Sequence, residues 1–222
     1  MIEKTLQSSL WLGIVLTALS PTAWSKVPAT EDSRVTVSVH NDAGIPSRTL
    51  LQAESEASRV FRQSGMEVHW LNCPLSAAGP ENPTQCEAAD FPRHLQLRIA
   101  KHSLNLNEFA MGISYLSADG TGCYADLFYD RAAHLHKTTQ VTLPTLLGHA
   151  IAHELGHLLL GRNSHSATGL MRARWQPDDL ASASRGALHF SFVESQQMRN
   201  KLTTWYTQAT IASRIASARP GD

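Results

Sequence analysis

Residues 143–161 read LPTLLGHAIAHELGHLLLG, and this stretch decides how the rest of the chain is interpreted. Apolar residues lie on nearly every side of the segment, which is typical of a helix buried at the centre of a domain. Pro144 suits the first turn of a helix, and Gly161 suits the left-handed position that ends one. The sequence therefore predicts a central, buried helix over these residues.

Within this helix, His153-Glu154-Leu155-Gly156-His157 follows the pattern H-E-x-x-H. Residues four apart lie on one face of a helix, so both imidazoles can reach a single metal ion. Glu154 lies about 100° around the helix from His153, near the metal but turned away from direct ligation. Because polar groups in an apolar helix are unfavourable unless satisfied, packing alone explains this cluster poorly. We expect His153 and His157 to bind a metal ion and Glu154 to act as a base.

The flanking sequence alternates between strand-like and helix-like patterns. Alternation of apolar and polar residues predicts strands over 34–40, 66–71, 94–100, 112–116 and 123–129. Helical spacing predicts one helix over 47–64, which Ser47 could cap, and a last helix over about 190–218. Because strands joined through a helix imply a right-handed crossover, the sheet should be at least partly parallel.

Beyond the central helix the chain continues to His165-Ser166 and then to Met171. This arrangement resembles the metzincin zinc peptidases, and the His-Ser pair before a short loop to Met resembles their matrixin branch. The resemblance covers about 34–171. It implies an α+β fold with a mixed, mostly parallel twisted sheet, a central active-site helix and a C-terminal helix.

The same resemblance implies a site and an activity. One catalytic Zn²⁺ would be held by His153, His157 and His165, with Glu154 as general base and Met171 as the Met-turn residue beneath the metal. The implied activity is that of an endopeptidase that hydrolyses protein or peptide substrates with metal-activated water. The strand over 112–116 would be the cleft edge that pairs with the substrate backbone.

The sequence departs from the metzincin pattern at two points. Metzincins space the tail as H-x-x-G-x-x-H, whereas one more residue stands on each side of Gly161 here. A third ligand from a later segment therefore stays open: Glu194 as in the gluzincins, or Asp178 or Asp179 as in the aspzincins. The tyrosine that follows the family's Met-turn is also missing, so the sequence names no residue that stabilises the oxyanion.

A second function class remains open on the same evidence. A secreted zinc-binding or peptide-binding module of the same fold, without turnover, would also tolerate the longer spacing and the missing tyrosine. The presence of Glu154 argues against it, because a pure binder needs no base beside the metal. His149, one turn before His153, is expected to support the site or to be partly exposed rather than to bind metal.

The ends and the composition of the chain set its surroundings. Residues 1–25 have the basic, apolar and small-residue layout of a secretory signal peptide, which predicts an extracytoplasmic protein with a single catalytic domain over 26–222. Lys plus Arg equal Asp plus Glu at 19 each, so no overall field favours nucleic acid. No segment of the mature chain is apolar enough for stable membrane insertion, and nothing in the pattern predicts an oligomeric state.

Three cysteines stand in a chain expected to meet an oxidising compartment. Three pairings are possible, and the loop-like sequence between Cys73 and Cys86 favours a disulfide between these two. Such a bridge could stabilise the fold by roughly 3 kcal/mol in the chain-entropy treatment. Cys123 would then be left unpaired, most simply as a buried thiol.

Overall fold

A computed structural model describes residues 33–73, 86, 94–103 and 110–217 of the chain. The predicted signal peptide, residues 1–25, lies outside these residues. Within them, strands and helices follow one another as β1 Arg34–His40, α1 Ser47–Gln63, β2 Glu67–Cys73, β3 His94–Ala100, β4 Gly112–Tyr115, β5 Tyr124–Phe128, α2 Tyr129–Thr138, α3 Leu143–Leu160, α4 Pro177–Ser184 and α5 Phe192–Ser217.

The strands form one twisted sheet in the order β2-β1-β3-β5-β4. The first four pair in parallel, and β4 pairs with β5 in the antiparallel direction at the edge of the sheet. The expectation of a mixed, mostly parallel sheet with a central helix and a C-terminal helix is confirmed. The crossover through α1, which returns the chain from β1 to β2, is what makes their parallel pairing possible.

One face of the sheet carries the apolar core. Alternate residues of the three central strands are buried on it: Val35, Val37, Val39, Leu95, Leu97, Ile99, Ala125 and Leu127. Helices α1 and α3 pack on this face and on each other. Each fully buried Leu, Ile or Val contributes roughly 1.5–3 kcal/mol of transfer free energy, so this layer holds α3 firmly against the sheet.

The opposite face of the sheet is polar. Ser38 and His94, both buried, share a hydrogen bond of 2.6 Å between Oγ and Nε2. Arg98 forms a two-pronged ion pair with the fully buried Asp126, which also accepts a hydrogen bond from the Tyr115 hydroxyl. These pairings satisfy polar groups that would otherwise be costly to bury.

Two helices that the sequence did not predict connect the larger elements. Helix α2 buries only Ala132 fully and packs the partly buried Tyr129 and Leu135 against the core, so its apolar stripe is narrow. Helix α4 is short and begins with Pro177, and its Asp179 side chain accepts a hydrogen bond from the backbone of Gln176. The expected cap of α1 is also absent: Ser47 is the first helical residue, and no side chain caps the helix start at Pro46.

The structure joins Cys73, at the end of β2, to Cys86 in a disulfide. Cys123 is the free cysteine and is partly buried just before β5. Among the described helices, none combines the length and the apolar character needed to cross a membrane.

Candidate metal centre

Helix α3 carries the H-E-x-x-H residues, and both of its ends are well defined. Thr142 caps the start by accepting a hydrogen bond from the Thr145 backbone nitrogen, and Pro144 stands in the first turn. Gly161, with φ of 89°, ends the helix and donates its backbone N–H to the His157 carbonyl. Nearly every residue between Leu146 and Leu159 is buried, as predicted. The helix is therefore a rigid platform for the side chains that project from it.

Three histidines meet at one end of this platform. His153, His157 and His165 each offer one ligand atom, and these atoms lie within 4.8 Å of one another. The Nε2 atoms of His153 and His157 are 3.0 Å apart, and the His157 and His165 ring centroids are 4.6 Å apart. Among the residues that the structure describes, this group of His, Cys, Asp and Glu side chains is the one able to hold a metal ion.

The loop after α3 explains how His165 returns despite the longer spacing. Gly161 and Asn163 both have positive φ, of 89° and 56°, a conformation that Gly and Asn adopt more readily than other residues. These two positions reverse the chain within a few residues of the helix end. The extra residue on each side of Gly161 is therefore absorbed in the turn, and His165 still reaches the other two rings.

The same loop orients the two helical histidines through their Nδ1 atoms. His153 Nδ1 lies 2.8 Å from the Leu170 carbonyl oxygen, which also accepts a hydrogen bond of 3.0 Å from the Trp175 indole. His157 Nδ1 lies 2.7 Å from the Ser164 hydroxyl oxygen. Because a carbonyl only accepts, His153 must carry its proton on Nδ1, which leaves the Nε2 lone pair facing the group.

Burial keeps the two helical imidazoles neutral. Desolvation, followed by the nearby His165, lowers the pKa of His153 to about 4 against the pull of the Leu170 carbonyl. Desolvation and then the two neighbouring histidines lower the pKa of His157 to about 3. A neutral ring is the form that binds a metal, so no proton has to be removed near neutral pH.

Glu154 lies on the side of α3 that faces strand β4. Its side chain is 5% exposed, and the Ser114 hydroxyl oxygen lies 2.8 Å from its Oε2 and 2.8 Å from its backbone carbonyl oxygen. Burial raises the pKa of Glu154 to about 7, and the Ser114 hydrogen bond acts in the opposite direction. Ser114 was not identified from the sequence, because alternation along β4 does not reveal which face of that strand meets α3.

Met171 is fully buried beneath the helix. A methyl group on Gly156, between the two helical histidines, would lie 2.8 Å from Met171 Sδ and 2.7 Å from Phe190 Cε1. Because Gly156 has no side chain, Met171 and Phe190 can pack directly against the backbone of α3. The turn itself is closed by the Ser166 backbone N–H, which donates to the Met171 carbonyl.

The rival third ligands are engaged elsewhere. Glu194 Oε2 accepts a hydrogen bond of 2.7 Å from the Ser191 backbone at the start of α5. Asp179 Oδ2 accepts from Arg172 Nη1 at 2.8 Å, and Asp178 lies 3.7 Å from the same nitrogen. None of the three joins the histidine group.

His149 and Trp175 complete the surroundings of the centre. His149 is fully buried rather than partly exposed, with Nδ1 2.8 Å from the Thr145 carbonyl oxygen. The Trp175 ring stands edge-on to both His149 and His153, with centroids 6.3 and 6.2 Å away. Trp175 lies four residues after Met171, in the segment that lacks the tyrosine expected from the metzincin resemblance.

The donor set fits Zn²⁺. Imidazole nitrogens are ligands that zinc prefers, and catalytic zinc sites use three protein ligands with one position left open. In a tetrahedral site with Zn–N of ~2.1 Å, ligand nitrogens stand about 3.4 Å apart. The 3.0 Å between His153 Nε2 and His157 Nε2 is near this value, and the exposed His165 ring is within reach.

No protein-family model and no curated protein matches the chain. Solved structures do resemble it. One is a zinc-dependent peptidase from Methanocorpusculum labreanum strain Z, with TM-score 0.49, 17% identity, and coverage of 73% of this chain and 99% of that chain. Another is archaemetzincin from Methanopyrus kandleri, with TM-score 0.45, 15% identity, and coverage of 78% of this chain and 98% of that chain. Similarity at this level carries no argument about activity, which rests on the residues of this chain.

Proposed function

We propose that this chain is an extracytoplasmic, zinc-dependent endopeptidase of matrixin-like type, with Glu154 as its general base. His153, His157 and His165 would hold one Zn²⁺ ion. The observation that carries the proposal is that His165, from the loop after α3, meets the two histidines of α3. The helix also carries the buried Glu154, next to His153 in the sequence. A site built only to bind metal would not require a buried, otherwise costly carboxyl group next to the ligands.

When bound, Zn²⁺ supplies a Lewis acid that lowers the pKa of water and polarises a substrate carbonyl. The residues of the chain then divide the remaining work. The three imidazoles would hold the ion, and burial keeps the rings of His153 and His157 neutral, as ligands must be. Glu154 takes the proton from the attacking water and passes it to the leaving amine nitrogen. Burial raises the pKa of Glu154 to about 7 in the metal-free protein, and a cation bound at the histidines would favour the ionised form that acts as a base.

The edge strand β4 supports a peptide as the substrate. β4 pairs with β5 on one side and has no other strand partner among the described residues. An open antiparallel edge can accept an extended peptide through backbone hydrogen bonds. Since Ser114 of β4 contacts Glu154, a peptide along this edge would lie close to the base. Binding through the backbone suits cleavage within a chain rather than only at its ends.

The location outside the cytoplasm is part of the proposal. The Cys73–Cys86 disulfide supports it, because such bridges persist mainly in oxidising compartments. We propose in addition that residues 1–25 act as a signal peptide and that residues 26–222 form one catalytic domain.

The test is hydrolysis of casein and of internally quenched peptides by the zinc-loaded protein. We expect cleavage within the peptides, loss of cleavage with a chelator, and recovery on adding zinc. Glu154→Gln should keep zinc near one per chain but lower kcat/KM by at least about 10³-fold, because the base is lost while both neighbouring imidazoles remain. The matched control is Glu67→Gln at the exposed partner of Arg34, which should change neither quantity.

Two results would contradict the proposal. Full activity in Glu154→Gln would remove Glu154 from the base role. A protein that binds one zinc through the histidines but cleaves no peptide would instead be the catalytically silent binding module of the same fold.

A further inference from the structure

We propose that strand β4 holds the Glu154 carboxyl group in position, with Ser114 as the positioning residue and Gly112 as the residue that makes room for it. This inference rests on the proposed function, because it gives β4 a role in the same reaction. It assigns two residues outside the H-E-x-x-H motif to the working of the base.

The first observation is the hydrogen bond from Ser114. Its hydroxyl lies 2.8 Å from Glu154 Oε2, and Ser114 is the one hydrogen-bonding partner of this carboxyl group within the described part of the chain. A single donor on Oε2 fixes the carboxyl orientation and leaves Oε1 as the atom that can take a proton. The same hydroxyl lies 2.8 Å from the Glu154 backbone carbonyl oxygen, so its single hydrogen is shared between two oxygens of Glu154 and ties the carboxyl group to the backbone of its own residue.

The second observation is the absence of a side chain at Gly112. A methyl group there would lie 2.6 Å from Glu154 Cγ and 2.7 Å from Glu154 Cδ, closer than carbon atoms approach without a shift. It would also lie 2.6 Å from the Asp126 carbonyl oxygen of β5, which cannot move without disturbing the sheet. Glu154 can therefore occupy its place only because residue 112 is a glycine.

The two residues act from one face of β4. Gly112 and Ser114 are two residues apart in β4 and pair with Leu127 and Ala125 of β5. Both positions therefore lie on the face of the sheet that packs against α3. The glycine sets the depth at which the Glu154 side chain lies, and the serine sets its rotation. Because the proposed peptide would pair with the free edge of the same strand, the base and the scissile bond would be positioned by one rigid element.

The experiment compares Ser114→Ala and Ser114→Thr in the zinc-loaded, full-length protein, with Ser184→Ala as a matched control. Ser184 is exposed, and its hydroxyl bonds only to carbonyls of its own helix, so its loss should change nothing. We expect Ser114→Ala to lower kcat by about 10- to 100-fold, because a misplacement near 1 Å has this effect, while KM stays within about twofold. Zinc should remain near one per chain, and Ser114→Thr, which keeps the hydroxyl, should recover most of kcat.

Gly112→Ala should lower kcat by more than Ser114→Ala, since the added methyl group must displace Glu154 or the strand. If this variant fails to fold, the Ser114 pair still decides the matter. An unchanged kcat in Ser114→Ala, or a threonine variant no better than the alanine variant, would overturn the inference.

A second readout separates this inference from the proposed function. Crystal structures of the zinc-loaded wild type and both Ser114 variants should show the Glu154 carboxyl displaced in Ser114→Ala and in place in Ser114→Thr. If the wild type cleaves no peptide, the proposed function fails while these structures still decide the positioning role. An unmoved carboxyl in Ser114→Ala would end that role whatever the activity.

Discussion

Two alanine variants should have opposite effects. His165→Ala should lower zinc affinity and leave the stability of the fold unchanged, whereas Glu194→Ala should lower stability and leave zinc affinity unchanged. The His165 ring is exposed, and the rings it contacts are those of His153 and His157. Its removal should therefore change the free energy of unfolding of the metal-free protein by no more than about 0.5 kcal/mol. Zinc affinity should fall by more than about 100-fold, since even the loss of a group that only orients a ligand lowers affinity 10- to 100-fold.

Glu194 should show the reverse behaviour. Its carboxylate accepts from the Ser191 backbone at 2.7 Å, and the Ser191 hydroxyl accepts from the Glu194 backbone at 3.2 Å, a reciprocal cap at the start of α5. Glu194→Ala removes one of the two hydrogen bonds of this cap and leaves the one that the Ser191 hydroxyl accepts, so stability should fall by about 0.5–1.5 kcal/mol. For a domain of this size, that corresponds to a Tm lower by roughly 1–6 °C. Zinc affinity should not change, because the carboxylate is committed to the helix.

Zinc affinity is measured by competition with a chromogenic chelator, and Tm by circular dichroism of the metal-free proteins. His134→Ala, at an exposed position of α2, is the matched control and should change neither quantity. The reasoning fails if Glu194→Ala strips the metal while His165→Ala keeps it, because the third ligand would then come from α5.

Two further variants test the surroundings of the site and the core. Ser164→Ala should lower zinc affinity by about 10- to 100-fold in the same competition assay, because the hydroxyl that orients His157 Nδ1 is lost; an unchanged affinity would exclude that role. Burial raises the pKa of Glu54 from 4.5 to about 7. The fold therefore keeps its full stability below pH 4.5, where Glu54 is protonated in both the folded and the unfolded chain, and it loses stability as the pH rises to about 7 and the buried carboxyl group ionises. Glu54→Gln should therefore raise the free energy of unfolding at pH 8 by on the order of 2–3 kcal/mol and change it little at pH 4. Urea unfolding at both pH values measures this, and an equal effect at the two values would contradict it.

The parts of the fold that could be predicted from the sequence are those with a strong local pattern. Valine-rich alternation in β1 and the apolar run of α3 both follow from burial against the same sheet face. Helix α2 was not predicted in this way, because it is only ten residues long and Ala132 is its one fully buried residue. Helix α4 is fixed by Pro177 and by the contacts of Asp179, and such short signals do not stand out from a loop.

The same distinction applies to the site: residues placed by a local pattern could be predicted, and residues brought in from distant segments could not. His153, Glu154 and His157 lie within five residues, so helix geometry alone places them together. The position of His165 depends on the positive φ values of Gly161 and Asn163, which a spacing rule does not contain. Ser114 and the Leu170 carbonyl reach the site through the sheet and the loop, 40 and 17 residues away in sequence from the groups they contact. No local pattern could have identified them.

The most direct test of the central claim is anomalous diffraction at the zinc edge from crystals of the zinc-loaded protein. The account predicts one anomalous peak within about 2.1 Å of a ring nitrogen of each of His153, His157 and His165, with the Glu154 carboxyl beside it but not bound to it. A peak ligated by Glu194, Asp178 or Asp179 instead of His165, or a soaked crystal with no peak at the three histidines, would contradict the account.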